Sequence, residues 1–168
     1  GTNSIGYITK SPLPKNKSLD SIYNEGIDSS IHVKQLLTKA KKVGKTHCIE
    51  DYSYTTTKMV GDGFILAGDA GNFIDPVWST GVFLAVQSAK EASESIEKWL
   101  KTGQRKHFNE YQEKIQTLIE KYSEFIRYFY ANHVPPKTYF WKAHSLIPYA
   151  LKDRDAFIQL VSGKLKIK

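Results

Sequence analysis

The sequence predicts an α+β chain that is mostly helical, with few strands and long helices. Three observations predict this class. Two long runs, residues 81–100 and 108–132, repeat apolar residues every three or four positions, the period of an amphipathic helix. β-prone runs are few and short, at 5–9, 46–49 and 64–67. Glycine and proline punctuate the rest, at Pro12, Pro14, Gly26, Gly61, Gly63, Gly103, Pro135 and Pro136.

A chain of 168 residues is long enough to bury a core, and 40% hydrophobic with 12% aromatic residues exclude a disordered tail. The single cysteine, Cys48, excludes an internal disulfide and suits a reducing compartment, so a cytoplasmic location is expected. No apolar stretch is long enough to span a bilayer, and no secretory signal or transmembrane segment is expected. The sequon Asn16-Lys17-Ser18 is read as chance. The net charge is +7, with basic residues gathered in 39–45 and 164–168. Neither cluster is interleaved with aromatics, so both read as solvated ends, and no nucleic-acid partner is expected. No His or Cys pair stands at metal-ligand spacing, so no metal site is expected.

In chain order, Ile5-Gly6-Tyr7-Ile8-Thr9 reads as a strand ended by Pro12 and Pro14. Ser18 or Asp20 caps a helix through Ile22 and Tyr23, which Gly26 interrupts. Ile31 to Lys42 reads as a second helix, and Thr46-His47-Cys48-Ile49 as another strand. Glu50-Asp51-Tyr52-Ser53-Tyr54 alternates aromatics in the manner of a strand.

Residues 61–89 read GDGFILAGDAGNFIDPVWSTGVFLAVQSA and organise the chain. A Gly61-Asp62-Gly63 turn leads into Phe64-Ile65-Leu66-Ala67, which reads as one buried strand. Gly68-Asp69-Ala70-Gly71 ends it, and Asp75-Pro76 breaks the chain again. Ser79 or Thr80 caps a helix opening on Gly81-Val82-Phe83. A carboxylate at a strand end, followed by a glycine-bearing helix N-terminus, suits a ligand with hydroxyls and an anionic edge.

The helix from Gly81 to Leu100 carries an apolar stripe of Ala85, Ala89, Ala92, Ile96 and Trp99, and Gly103 stops it. From Phe108 to Asn132 a second stripe runs through Tyr111, Ile115, Leu118, Tyr122, Phe125 and Phe129. That spacing is read as a core face rather than as a cofactor lining. Pro135-Pro136 breaks the chain. Tyr139-Phe140-Trp141 follows, and a last helix spans Asp153 to Val161 with Ser162-Gly163 as its stop.

These residues resemble the FAD-dependent monooxygenases and, most closely, the flavin-dependent halogenases. The likeness rests on GDGFILAGDAGNFIDPVWSTGVFLA, on a D-[WY]-S-Y segment at 51–54, and on the YFW and DAFxxLVSG segments at 139–141 and 155–163. It implies the C-terminal part of an FAD-binding, Rossmann-type α/β flavoprotein. Residues 1–50 would be a remnant of the substrate-side domain, 51–103 the second FAD-binding segment, and 104–168 the C-terminal helical region. It implies Gly68, Asp69, Pro76, Thr80, Gly81 and Val82 as cofactor-binding residues, with the backbone of Thr80 and Gly81 as a halide site. The partners implied are a small-molecule or carrier-bound aromatic substrate, a flavin reductase, and the N-terminal half of the same enzyme.

The G-x-G-x-x-G fingerprint that holds the FAD pyrophosphate in such enzymes has no counterpart here. Gly61-Asp62-Gly63-Phe64-Ile65-Leu66 lacks the third glycine and precedes a strand instead of following one. The catalytic residues are therefore unknown, and the fragment alone is expected to be inactive and to lose FAD. Trp78 stands where tryptophan halogenases carry a glutamate, which points toward phenolic, pyrrole or carrier-bound substrates, with the indole filling space beside the flavin. The alternatives are a non-halogenating reductase or hydroxylase of polyprenyl or lipid type, and a non-enzymatic helical interaction domain.

Overall fold

The computed structural model describes residues 1–9, 12–50, 52–131, 135 and 138–165. Asp51, Asn132, Pro136, Lys166, Ile167 and Lys168, which figure in the sequence reading, lie outside the described residues. The chain divides into two compact units, Gly1–Asp51 and Tyr52–Lys168.

The first unit holds two short helices, α1 (Leu19–Asp28) and α2 (Ile31–Leu36). Ser18 Oγ accepts from the Ser21 amide and caps α1, as its position before the first apolar turn predicts. Gly26 does not interrupt the helix but lies inside it. A β-carbon there would sit 2.4 Å from Cγ of Tyr7, so the glycine makes room for that ring. α2 ends six residues before Lys42, and Lys42 pairs with Asp20. The strands expected at 5–9 and 46–49 do not form. A strand persists only against a partner, and no strand occurs among the described residues of this unit.

The second unit is helical, with two short antiparallel pairings. β1 (Tyr54–Thr55) pairs with β4 (Asn72–Phe73), placing Tyr54 opposite Phe73. β2 (Val60–Gly61) and β3 (Phe64–Ile65) form a hairpin whose turn is Asp62-Gly63. The single buried strand expected over 64–67 is thus shortened to two residues, and Phe64 is 46% exposed. Among the described residues it pairs only with its own hairpin partner, β2.

α3 (Gly81–Thr102) and α4 (Lys106–Tyr130) pack together, and α5 (Thr138–Leu146) and α6 (Asp153–Val161) pack on each other, with α5 also against α4. Gly103 adopts φ 68° and stops α3 as expected. The core is the predicted face of α4: Tyr111, Ile115, Leu118, Tyr122 and Phe125, joined by Ile119 and Ile126. Tyr122 donates to Leu160 O at 2.7 Å, which ties α4 to the end of α6.

The buried face of α3 differs from the expected alanine stripe. It carries Ser88, Glu91, Ala92 and Ser95, while Ala89 is exposed. Two of the polar members, Ser88 and Glu91, have partners. Glu91 meets Lys114 Nζ at 2.6 Å and accepts from Gln87 Nε2 at 2.8 Å. A buried charge is tolerated when paired and hydrogen-bonded in this way.

Candidate functional site

Two turns and one helix end build the site. Gly68-Asp69-Ala70 forms a 3-10 turn just after β3, so Asp69 stands on a turn and not at the end of a long buried strand. Gly68 has φ 57°, the left-handed region that favours glycine. A β-carbon there would also stand 3.1 Å from Ala85 Cβ, so the turn lies close against α3. The Gly68 amide donates to Ser88 Oγ at 2.8 Å. Tyr54 from β1 donates its hydroxyl to Asp69 O, fixing the other side of the turn. The Asp69 side chain is exposed and makes no hydrogen bond or ion pair among the described residues.

The second turn, Pro76–Trp78, is capped by Asp75, whose Oδ1 accepts from the Val77 amide at 2.8 Å. Both Asp75 carboxylate oxygens also accept from the Tyr130 hydroxyl, each at 3.0 Å. Burial first, and the Asp75 hydrogen bond second, push the Tyr130 phenol up to about 12, so it stays a donor well into alkaline pH. Ser79 follows at φ 53°, the one non-glycine residue with positive φ among the described residues.

Trp78 does not stand free to fill a cavity. Its indole packs on Phe125 at 5.3 Å, Phe129 at 4.8 Å and Phe157 at 5.1 Å between ring centres, with Tyr139 at 6.2 Å. Four rings from α4, α5 and α6 draw it into the core, because that contact buries more apolar surface than an exposed loop offers. The sequence expectation put the indole beside a flavin; the structure seats it, partly buried, against these four rings.

Thr80 is the N-cap of α3 and is 1% exposed. Its hydroxyl caps nothing: Thr80 Oγ1 is buried without a partner among the described residues. The first i to i−4 bond of the helix runs from Leu84 N to Thr80 O at 3.0 Å, so the amides of Gly81, Val82 and Phe83 precede the helical ladder. At Gly81 a β-carbon would meet no atom within 4 Å. Open space thus faces an uncapped, dipole-positive helix end.

The structure brings together only some of the expected residues. Gly68, Asp69 and Gly81 line one narrow cleft between the first turn and α3, with Asn72 and Ala85. Pro76 is half-buried in its own turn, and Val82 is 79% exposed in the first turn of α3; neither lines that cleft. Sequence reasoning missed Asn72, Ser88 and Tyr130. Asn72 Oδ1 is buried without a partner, while its Nδ2 donates to Met59 Sδ at 3.4 Å. A polar residue inside the motif itself, between Gly71 and Phe73, was the available signal for Asn72. Ser88 and Tyr130 carried none, since each is one polar group on a long helix. Among the described residues no group of three or more His, Cys, Asp or Glu stands together to hold a metal ion. No helix among them is long and apolar enough to cross a membrane.

Comparison with known proteins places the same residues in one lineage. The family model described as tryptophan halogenase matches residues 29–164. A tryptophan 2-halogenase of Chondromyces crocatus is 31% identical over 177 residues, covering 96% of this chain and 34% of that protein. A 1H-pyrrole-2-carbonyl-[peptidyl-carrier protein] chlorinase of Pseudomonas fluorescens is 30% identical over 131 residues, covering 76% of this chain and 29% of its own length. Among solved structures, the flavin-dependent brominase Bmp2 superposes with a TM-score of 0.65 at 28% identity, over 87% of this chain and 35% of that one. The chain therefore spans about a third of the length of the relatives it matches. A match over most of its residues nonetheless identifies it: the chain belongs to the tryptophan halogenase family, among the flavin-dependent halogenases.

Proposed function

We propose that the protein is a halogenase-like, FAD-dependent oxidoreductase acting on an aromatic or carrier-bound substrate, and that this chain supplies its second flavin-binding segment and C-terminal helices. The observation that carries the reading is the start of α3, where an uncapped helix end, a buried unpartnered Thr80 hydroxyl and open space at Gly81 coincide. Family membership favours it over a polyprenyl-type reductase, a hydroxylase or a bare interaction domain.

The residues present fit the cofactor. Asp69 has a carboxylate with no partner among the described residues, suited to ribityl hydroxyls. Gly68 keeps the backbone close to α3, and Pro76, Thr80, Gly81 and Val82 would lie along the ring. When bound and reduced, FAD would supply the electrons that activate dioxygen for oxidation of halide. The chain's own part is to orient and to stabilise charge. The amides of Thr80 and Gly81 would hold a halide ion, and the α3 dipole lowers the free energy of an anion there.

Residues 1–50 read as part of the substrate-side domain, 51–103 as the flavin segment and 104–168 as its helical support. The pyrophosphate site and the catalytic residues belong to the remainder of the enzyme, so residues 1–168 alone should not retain FAD. A flavin reductase would be the electron donor, and a cytoplasmic setting would suit it.

The test uses full-length protein with a flavin reductase, chloride or bromide, and phenol, pyrrole and indole substrates, including carrier-bound forms. Halide-dependent formation of a halogenated product, read by mass spectrometry, is the expected result. Turnover indifferent to halide, with no halogenated product, would leave only a generic flavin oxidoreductase.

A further inference from the structure

We propose that Tyr130 is a positioning residue for the 75–80 loop, acting through Asp75 to hold the amides of Thr80 and Gly81 in register. The proposal rests on the functional reading above. Its geometric basis is independent of that reading.

The loop is clamped at two points. At its start, Tyr130 Oη lies 3.0 Å from both oxygens of Asp75, and Asp75 Oδ1 holds the Val77 amide at 2.8 Å. In its middle, the Trp78 ring is seated among Phe125, Phe129 and Phe157. Between these clamps and α3 lies Ser79 at φ 53°, stabilised by the bond from its amide to Pro76 O at 2.8 Å. A serine in the left-handed region persists only where its surroundings over-determine it. Thr80 and Gly81 follow directly, so the orientation of their amides is set by how Ser79 is held.

Tyr130 is the last residue of α4, and its ring packs edge-on against Phe129 at 5.2 Å. Phenylalanine would keep that ring contact and lose only the hydroxyl. Asp75 would keep the Val77 amide but lose its link to α4. The loop would then be tied to α4 by the Trp78 ring alone, and its Asp75 end would relax away from the geometry that holds Ser79 at positive φ. Tyr130 is thus a lever on the helix end without belonging to it.

The experiment compares full-length wild type with Tyr130→Phe and with Tyr122→Phe. The second variant removes a tyrosine hydroxyl from the same helix, one that bonds Leu160 O instead of the loop. Hydrogen–deuterium exchange of the peptide spanning residues 76–84 is read first. Tyr130→Phe should accelerate it by about tenfold, the effect of losing one charge-assisted hydrogen bond, and Tyr122→Phe should not. The KM for bromide should then rise by a similar factor in Tyr130→Phe alone. Equal exchange in the two variants, or faster exchange with an unchanged bromide KM, would overturn the proposal. If wild type incorporates no halide while exchange behaves as expected, the proposed function fails and the clamp stands.

Discussion

The Gly68 amide donates to Ser88 Oγ at 2.8 Å, and Ser88 Oγ donates onward to Ala85 O at 3.0 Å. One hydroxyl thus joins the Gly68–Ala70 turn to the second turn of α3. It also explains why a serine occupies a helix face expected to be alanine. Without it, the part-buried Gly68 donor would lose its protein partner beside Ala85.

Ser88→Ala leaves that donor unpaired and should lower stability by about 1–3 kcal/mol. Chemical denaturation of the full-length protein measures it. The same variant should loosen flavin affinity, since the turn carrying Asp69 loses its tether. An unchanged denaturation midpoint would show that the bonds from Tyr54 and Thr56 hold the turn without Ser88.

Asp69→Ala removes a carboxylate that has no partner among the described residues and so costs the fold little. Flavin binding should weaken by about 1.5–3 kcal/mol, the range for a hydrogen bond to a charged group. Fluorescence titration of full-length protein with FAD checks this. Undiminished affinity would remove Asp69 from the site.

Trp78→Glu introduces the residue type that the family resemblance implies for tryptophan halogenases at this position of the loop. It should not create a working substrate contact, because the side chain is drawn among Phe125, Phe129 and Phe157. A carboxylate among those rings loses solvation, and loss of the indole adds a cavity, so the variant should be destabilised by about 3–5 kcal/mol. Trp78→Phe should cost far less. Thermal midpoints of the two variants decide between a core and a pocket role.

Alkaline pH should weaken the fold through Tyr111 and Tyr130. Burial, and then the charge of Glu91, push the Tyr111 phenol up to about 12, while its hydroxyl donates to Leu66 O at 2.5 Å. Tyr130 is likewise pushed up to about 12. An unfolded tyrosine ionises near about 10. Both folded values are raised, so the stabilisation is complete below pH ~10 and is lost as pH rises toward ~12. Unfolding midpoints measured across that window should fall with pH, and Tyr111→Phe should flatten the slope.

Several parts of the molecule were legible in the chain. The helices α3, α4 and α6 follow from apolar spacing and from Gly103 and Ser162-Gly163 as stops, and each forms within a few residues of its expected bounds. The core face of α4 was readable for the same reason: a period of 3.6 directs every third or fourth side chain to one side. Family membership was also legible, because the ordered run from Gly61 to Ala85 is long and specific. Strands were not. Those expected at 5–9 and 46–49 depended on partners that local sequence does not specify, and 64–67 found only a two-residue hairpin.

The sequence by itself determined where α3, α4 and α6 run, which residues carry the flavin-halogenase motif, and that a glycine opens α3; it placed the end of α2 too late, read Gly26 as a break in α1 and gave no helix at α5. Only the tertiary structure decided what those residues face. It buried Ser88 and Glu91 because Gly68 and Lys114 come to meet them, turned Trp78 into a ring cluster, and joined Tyr130 to Asp75 across 55 residues of chain. The physical reason is that periodicity fixes a side chain's direction relative to its own element. Burial and hydrogen-bond partnership depend on which other element arrives, and that is settled by packing across the whole chain.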